Sequence, residues 1–233
     1  MQPFQQRFIE FMVRSGVLTF GDYVTKSGRS TPYFVNTGNY STGAQIHQLG
    51  EFYADAIEAQ IESTGDAPDV LFGPAYKGIP LVVSASVALA RRGHEIAYLF
   101  NRKEVKDHGE GGIFVGHTLR DGDRVLYVED VTTAGTSIRE TEPFLRAAAN
   151  VTLQGLVVSV DRRERHTTNH TALDQIGDEY NMATFAIVTV HDVIEHLHNR
   201  PIIDATGDTS VVVDDTAAAA MTTYLDTWGP TSA

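Results

Sequence analysis

Val125-Leu126-Tyr127-Val128-Glu129-Asp130-Val131-Thr132-Thr133-Ala134-Gly135-Thr136-Ser137 is the stretch that decides the fold. Its first four residues form a short apolar run, as expected of a strand buried on both faces of a parallel sheet. Two acids end the run, a small hydroxyl-rich loop follows, and a helical pattern begins near Ile138. In open α/β sheets, ligands bind in the crevice beyond the C-terminal ends of the strands. The loop 132–137 offers backbone N–H groups, Thr and Ser hydroxyls and a helix N-terminus, a combination that suits a phosphate monoester. Like charge keeps Glu129 and Asp130 off that phosphate. They suit neighbouring hydroxyls, most simply the 2′ and 3′ hydroxyls of a ribose, so the local reading is a ribose 5-phosphate site. A capped strand–turn–helix without a ligand would not call for two acids before a small-residue loop.

Around this stretch the chain alternates. Short apolar runs at 70–72, 96–100, 153–160 and 185–190 predict strands, and amphipathic patterns at 79–91, 138–149 and 192–198 predict helices. Such alternation predicts an α/β fold with a mainly parallel central sheet and helices on both faces. Upstream, Phe4, Phe8, Phe11 and Met12 recur at helical spacing, with Gly16 placed to end that helix. Residues 17–24 and 33–36 read as extended, and 46–61 as a long amphipathic helix. Residues 101–112 are polar, charged and glycine-rich and predict an exposed, mobile loop. Residues from about 206 onward read as an appendage ending in a helix.

The balance of 18 basic against 30 acidic residues, net −12, argues against general nucleic-acid binding, and any polyphosphate site must gather its cations locally. Three places offer them. Gly73-Pro74-Ala75-Tyr76-Lys77-Gly78 follows a strand, and its glycines would let the backbone approach a ligand while Lys77 meets an anion. Ile79-Pro80 follows where a P-loop needs Lys-Ser/Thr, which excludes that motif. Arg102, Lys103, Lys106 and His108 cluster in the 101–112 loop, whose glycines supply hinge freedom for a lid. Arg162, in Asp161-Arg162-Arg163-Glu164-Arg165, could clamp a carboxylate bidentately or belong to a compensated surface cluster. The pairs His166/His170 and His196/His198 lack further metal ligands and read as solvated. With no cysteine, disulfides and thiol catalysis are excluded. No apolar run reaches membrane-spanning length and no signal core is visible at the N-terminus, so the expectation is a cytoplasmic protein.

Taken together, Lys26-Ser27-Gly28-Arg29 with Pro32-Tyr33-Phe34, the block 72–80, Asn101-Arg102-Lys103 through Lys106-Asp107-His108-Gly109-Glu110-Gly111-Gly112, and the acid-pair loop resemble the orotate phosphoribosyltransferase family over residues 4–197. The acid-pair loop alone resembles only the wider type I phosphoribosyltransferases. The resemblance implies a domain over residues 1–205, with 1–40 contributing to a hood and 101–112 forming the lid, and it leaves 206–233 unmatched. It implies transfer of ribose 5-phosphate from phosphoribosyl pyrophosphate (PRPP) to orotate, releasing pyrophosphate, with Mg²⁺ held mainly by substrate and water. It assigns Lys26, Tyr76, Lys77, Arg102, Lys103, Lys106, His108, Glu129, Asp130, Val131, Thr132, Thr133, Ala134, Gly135, Thr136 and Ser137 to PRPP. It assigns Lys26, Phe34, Val35, Thr133 and Arg162 to orotate, and catalysis to Lys106, His108 and Asp130. It further implies a homodimer in which each lid closes over the partner's site, and no nucleic-acid or membrane partner. Two positions depart from the commonest pattern: the acids are Glu-Asp, where Asp-Asp is also frequent, and Val35 stands where a second aromatic often sits. Another base phosphoribosyltransferase and a PRPP-sensing regulator without turnover are the competing readings.

Overall fold

A computed structural model describes residues 1–25, 28–104, the backbone of 105 and 106, and residues 112–132, 135–165 and 169–231. The chain divides into two compact units. The first comprises Met1–Gln45, Val160–Thr171 and Val188–Ala233; the second comprises Ile46–Ser159 and Ala172–Ile187.

The second unit carries the helices α2 (Gly43–Thr64), α3 (Gly78–Arg91), α4 (Thr136–Ala148) and α5 (Ala172–Tyr180). With them goes a sheet in the order β5-β4-β3-β6-β7-β8: β3 (Val70–Gly73), β4 (Ala97–Lys106), β5 (Gly112–Gly116), β6 (Arg124–Glu129), β7 (Thr152–Asp161) and β8 (Ala183–Thr189). Strand β3 pairs in parallel with both β4 and β6, and β6 pairs in parallel with β7. Only side chains that tolerate burial on both faces can fill such strands. Val70, Leu71, Phe72, Val125, Tyr127 and Val128 accordingly have no exposed surface. Phe72 anchors the layer, meeting Tyr127 and Phe114 edge-on at centroid distances of 5.1 and 5.9 Å, and Ile138 and Leu145 of α4 pack into the same cluster.

The expected mainly parallel sheet is present, with β5 as its antiparallel edge: β4 and β5 form a hairpin in which Lys106 pairs with Gly112. Strand β4 thus runs through Lys106, where the polar composition of 101–106 reads as loop. Backbone pairing across a hairpin is indifferent to side-chain polarity when the flanking side chains face water. Residues 107–111 lie outside the described residues. Helix α5 has no counterpart in the periodicity reading, because nine residues with two buried apolar side chains, Leu173 and Ile176, carry too little pattern.

The first unit joins distant parts of the chain. It contains α1 (Pro3–Arg14), the antiparallel pair β1 (Leu18–Val24) and β2 (Ser30–Val35), α6 (Val190–Leu197), the short hairpin β9 (Pro201–Ile203) and β10 (Thr209–Val211), and α7 (Asp215–Trp228). Gly16 takes the left-handed conformation just past α1, as its position predicts. The stretch read as an appendage packs inside this unit, with α7 lying against β2 and burying Ala218, Met221, Tyr224 and Leu225. His196 is not solvated: its ring is buried on α6 and its Nε2 lies 2.9 Å from Glu10 Oε1 on α1. On α6 His196 shares the buried face with Val193 and Leu197, which overturns the solvated reading.

Candidate active site

In the second unit, the parallel pairing of β3 and β6 brings the turn after β3 and the loop after β6 to the same edge of the sheet. The turn is built by close backbone approach. A Cβ at Gly73 would collide with the Gly78 carbonyl, and one at Gly78 would lie 2.6 Å from the Gly73 carbonyl carbon. The two glycines therefore let the turn close on itself, a use distinct from the approach to a ligand read from the sequence. Ala75 N–H donates to Asn101 Oδ1 at 2.8 Å, which ties the turn to β4. The Tyr76 side chain stands out from it, 72% exposed, and Lys77 Nζ reaches Asp130 Oδ2 at 2.9 Å.

The acids that end β6 are held by their backbones. Tyr53 of α2 donates its hydroxyl to the Glu129 carbonyl at 2.5 Å, and Ser159 donates both N–H and Oγ–H to the Asp130 carbonyl at 2.8 and 2.5 Å. Glu129 is only 8% exposed. Burial pushes its carboxyl up to about 7; the Ser137 hydroxyl bonded to it opposes that rise, and the neighbouring Asp130 charge adds to it. Beyond the acids, Gly135 adopts φ +65° as the N-cap of α4 and donates to Thr132 Oγ1 at 3.2 Å. A Cβ there would lie 2.9 Å from Ile176 of α5. The first turn of α4 has no side-chain cap and no acidic residue, so its positive dipole end stays available to an anion. Val131 and Thr132 are half-buried, Ser137 faces Glu129, and Thr136 is exposed.

The other expected PRPP residues lie on the β4–β5 hairpin or outside the described set. Arg102 Nη1 donates to the Gly112 and Phe114 carbonyls at 3.1 Å, bracing the hairpin, and Lys103 Nζ lies 3.4 Å from Glu140 Oε2 of α4. The side chain of Lys106, and Lys26, His108, Thr133 and Ala134 entirely, lie outside the described residues.

In the first unit, Arg162 is the centre of a second cluster. Its side chain is 11% exposed and its guanidinium lies over the Tyr33 ring, 4.5 Å from the centroid. Its Nε donates to Glu164 Oε1 at 2.8 Å. Burial pushes the Tyr33 hydroxyl pKa above its ordinary value, and the nearby Arg162 charge opposes that. Phe34, on the other face of β2 from the fully buried Tyr33, is half-exposed and stacks on Tyr23 of β1 at 5.6 Å; Val35 is half-buried at the end of the strand. Tyr23 and Tyr224 were not singled out by motif reading, and Tyr33 and Glu164 stood there only as neighbours of other candidate residues. Alternation along β2 puts Tyr33 and Phe34 on opposite faces and could have separated their roles.

The family model for the phosphoribosyl transferase domain matches residues 42–192. The chain belongs to the orotate phosphoribosyltransferase family. It is 57% identical over 203 residues to the orotate phosphoribosyltransferase of Clostridium beijerinckii, covering 87% of this chain and 89% of that protein. It is 51% identical over 230 residues to that of Lachnoclostridium phytofermentans, covering 98% of this chain and 99% of that one. The latter likeness reaches through the C-terminal segment that motif comparison left unmatched. Among solved structures it resembles the orotate phosphoribosyltransferase of Francisella tularensis with a TM-score of 0.79 and 35% identity, over 96% of this chain and 99% of that one. Family membership makes the chain a pentosyltransferase enzyme with a type I phosphoribosyltransferase fold. Among the described residues, no helix is long and apolar enough to cross a membrane.

Proposed function

We propose that this chain transfers ribose 5-phosphate from PRPP to orotate, forming orotidine 5′-monophosphate and pyrophosphate for pyrimidine nucleotide synthesis. What carries the choice of base is Arg162, a buried guanidinium braced by Glu164 and Tyr33, which suits a planar anion with a carboxylate far better than a neutral base.

The ribose 5-phosphate takes the uncapped start of α4, with residues 131–137 around it, and its hydroxyls meet Glu129 and Asp130. Lys77, with Lys26, Tyr76, Arg102, Lys103, Lys106 and His108, faces the pyrophosphate. An exposed ion pair contributes about 1 kcal/mol or less, so Lys77 exchanges Asp130 for a polyphosphate at little cost. Breaking the anomeric C–O bond makes the ribose cationic and the leaving group more anionic. The acids stabilise the first charge and the lysines the second. Orotate already carries an ionisable ring N–H, so no strong protein base is required. Lys106, His108 and Asp130 are the residues assigned to the bond-breaking step. Phe34 and Val35 flank the base, and Lys26, Thr133 and Arg162 hold its polar edge.

Among the described residues there is no group of three metal-ligating side chains. In this reading Mg²⁺ would be held mainly by substrate and water, with Glu129 and Asp130 as the carboxylates its waters would meet. When bound, the ion screens charge on the departing pyrophosphate. The hood role of residues 1–40, the lid role of 101–112, a cytoplasmic setting and a homodimer with shared sites belong to the same proposal.

The reaction is tested by pyrophosphate release on mixing protein, PRPP, Mg²⁺ and orotate. Release that needs both substrates is expected, and none with either combination would overturn the proposal. Site sharing is tested by mixing inactive Lys106→Ala with inactive Asp130→Asn: partial recovery is expected, and no recovery after confirmed subunit exchange would argue for sites built within one chain.

A further inference from the structure

The C-terminal helix α7 touches both charged segments that the sequence singles out in the first unit. Tyr224 donates its hydroxyl to Glu164 Oε1 at 2.8 Å, the same oxygen that accepts from Arg162 Nε. Its ring meets Tyr33 edge-on at 5.9 Å, beneath the Arg162 guanidinium. Four residues on, Trp228 carries the Arg29 guanidinium 4.6 Å over its ring, and Arg29 Nη1 lies 3.8 Å from Glu164 Oε2. The Thr25 N–H donates to the Arg29 carbonyl at 2.8 Å. The end of α7 is tied to the Arg162 segment in return. Arg165 donates its N–H to the Trp228 carbonyl at 2.7 Å and its Nη2 to the Thr227 carbonyl at 2.6 Å.

Two buried polar atoms in this cluster have no hydrogen-bond partner among the described residues: Arg162 Nη2 and the Tyr33 hydroxyl, the latter on a side chain with no exposed surface. Nη2 lies 2.6 Å from Glu164 Oε1, close enough for ion pairing but badly directed for a hydrogen bond. Glu164 therefore hydrogen-bonds the guanidinium through Nε, while Nη2 stays in ion-pair range of the same oxygen without a well-directed bond. A buried donor left this way is costly unless something completes it, and a planar carboxylate is the ligand that a guanidinium edge completes best.

We propose that Tyr224 and Glu164 are positioning residues for the substrate carboxylate, and that α7 is a specificity element of the base pocket. The Tyr224 hydroxyl holds Glu164 in the off-angle pose, where it orients Arg162 without occupying both donors of the fork. Without that hydroxyl, Glu164 is free to turn and chelate the guanidinium bidentately, competing with the substrate's carboxylate. The proposal rests on the assignment of orotate to Arg162.

The test is steady-state kinetics of the full-length enzyme, with KM for orotate and for PRPP measured separately. Tyr224→Phe keeps the ring and its packing on Tyr33. It is expected to raise KM for orotate about tenfold, the scale of one hydrogen bond to a charged group, with kcat and KM for PRPP within about twofold. Glu164→Ala is expected to raise KM for orotate similarly, and Glu164→Gln to recover most of that loss, because an amide oxygen still accepts from Tyr224 and Arg162 Nε. A Tyr224→Phe enzyme with unchanged KM for orotate overturns the proposal, as does a parallel change in both KM values. Arg162→Ala separates the two levels. If it raises KM for orotate while Tyr224→Phe does not, only the role of α7 falls; if it leaves KM for orotate unchanged, the orotate assignment falls as well.

Discussion

The phosphate loop and the Arg162 cluster are built in opposite ways. The loop is local: thirteen consecutive residues, 125–137, supply the strand, the two acids, the turn and the helix start. Much of its chemistry is backbone chemistry, from the left-handed Gly135 to the uncapped first turn of α4. The Arg162 cluster is assembled from residues 25–35, 161–165 and 224–228, and its chemistry lies in side chains held by other side chains. A phosphate is satisfied by a few N–H groups that a short loop always carries, whereas recognising a particular base needs groups on several sides of a ring.

The largest effect that would sharpen this comparison is expected from neither cluster but from the lid. Lys106→Ala is expected to lower kcat by about 10²–10³-fold, the scale of losing one preorganised donor in the transition state. An unchanged kcat would remove Lys106 from the mechanism. Next is Arg162→Ala, expected to raise KM for orotate by roughly 10–100-fold and to leave KM for PRPP near its starting value, as befits loss of a charge-assisted fork. A rise in KM for PRPP of the same size would break the division of labour between the clusters.

Smaller, but specific to the local site, is its pH dependence. In the proposed role Glu129 accepts from ribose hydroxyls more strongly when ionised, and burial pushes its carboxyl up to about 7. Turnover at limiting PRPP is therefore expected to rise as pH increases through about 7, and Glu129→Gln to remove that limb from the pH–rate profile. The same shift has a stability consequence of opposite sign. The folded value exceeds the ordinary one, so the fold takes up a proton between about 4.5 and 7. The contribution of protonated Glu129 is complete below the lower value and is lost as pH rises through the upper one, by about 3 kcal/mol. Glu129→Gln should accordingly melt higher than the wild type at pH 8 and match it near pH 4; equal melting temperatures at pH 8 would show that burial is not straining this acid. Smallest is Gly135→Ala, expected to lose about 1–3 kcal/mol of stability because alanine resists a left-handed backbone and its Cβ would press on Ile176. Unchanged unfolding would mean that the loop relaxes without loss.

How much was legible in the sequence follows the same divide. The strand 125–128, the acids after it and the helix from about 138 were visible because one local pattern encodes all three. Lys77 and Tyr76 were visible as a motif, but the contact between its two glycines was not. Gly73 and Gly78 approach each other, and no one-dimensional pattern reveals a contact between two turns of backbone. Arg162 was visible as a charged residue after a strand with Glu164 two residues on, yet its contacts with Tyr33 and the link to Tyr224 were not, since both lie more than 60 residues away in sequence. The C-terminal helix was set aside for the same reason. Its alanine-rich face carries no motif, and its importance rests on two aromatic residues whose neighbours come from the opposite end of the chain.

The account turns on a base-specific reaction. The most direct measurement mixes the purified protein with PRPP and Mg²⁺ and follows orotate absorbance, with adenine, hypoxanthine and uracil in parallel. The account predicts loss of orotate alone. Turnover of another base would preserve the ribose phosphate loop but contradict the role of Arg162, and PRPP binding with no turnover of any base would contradict the assignment of a reaction at all.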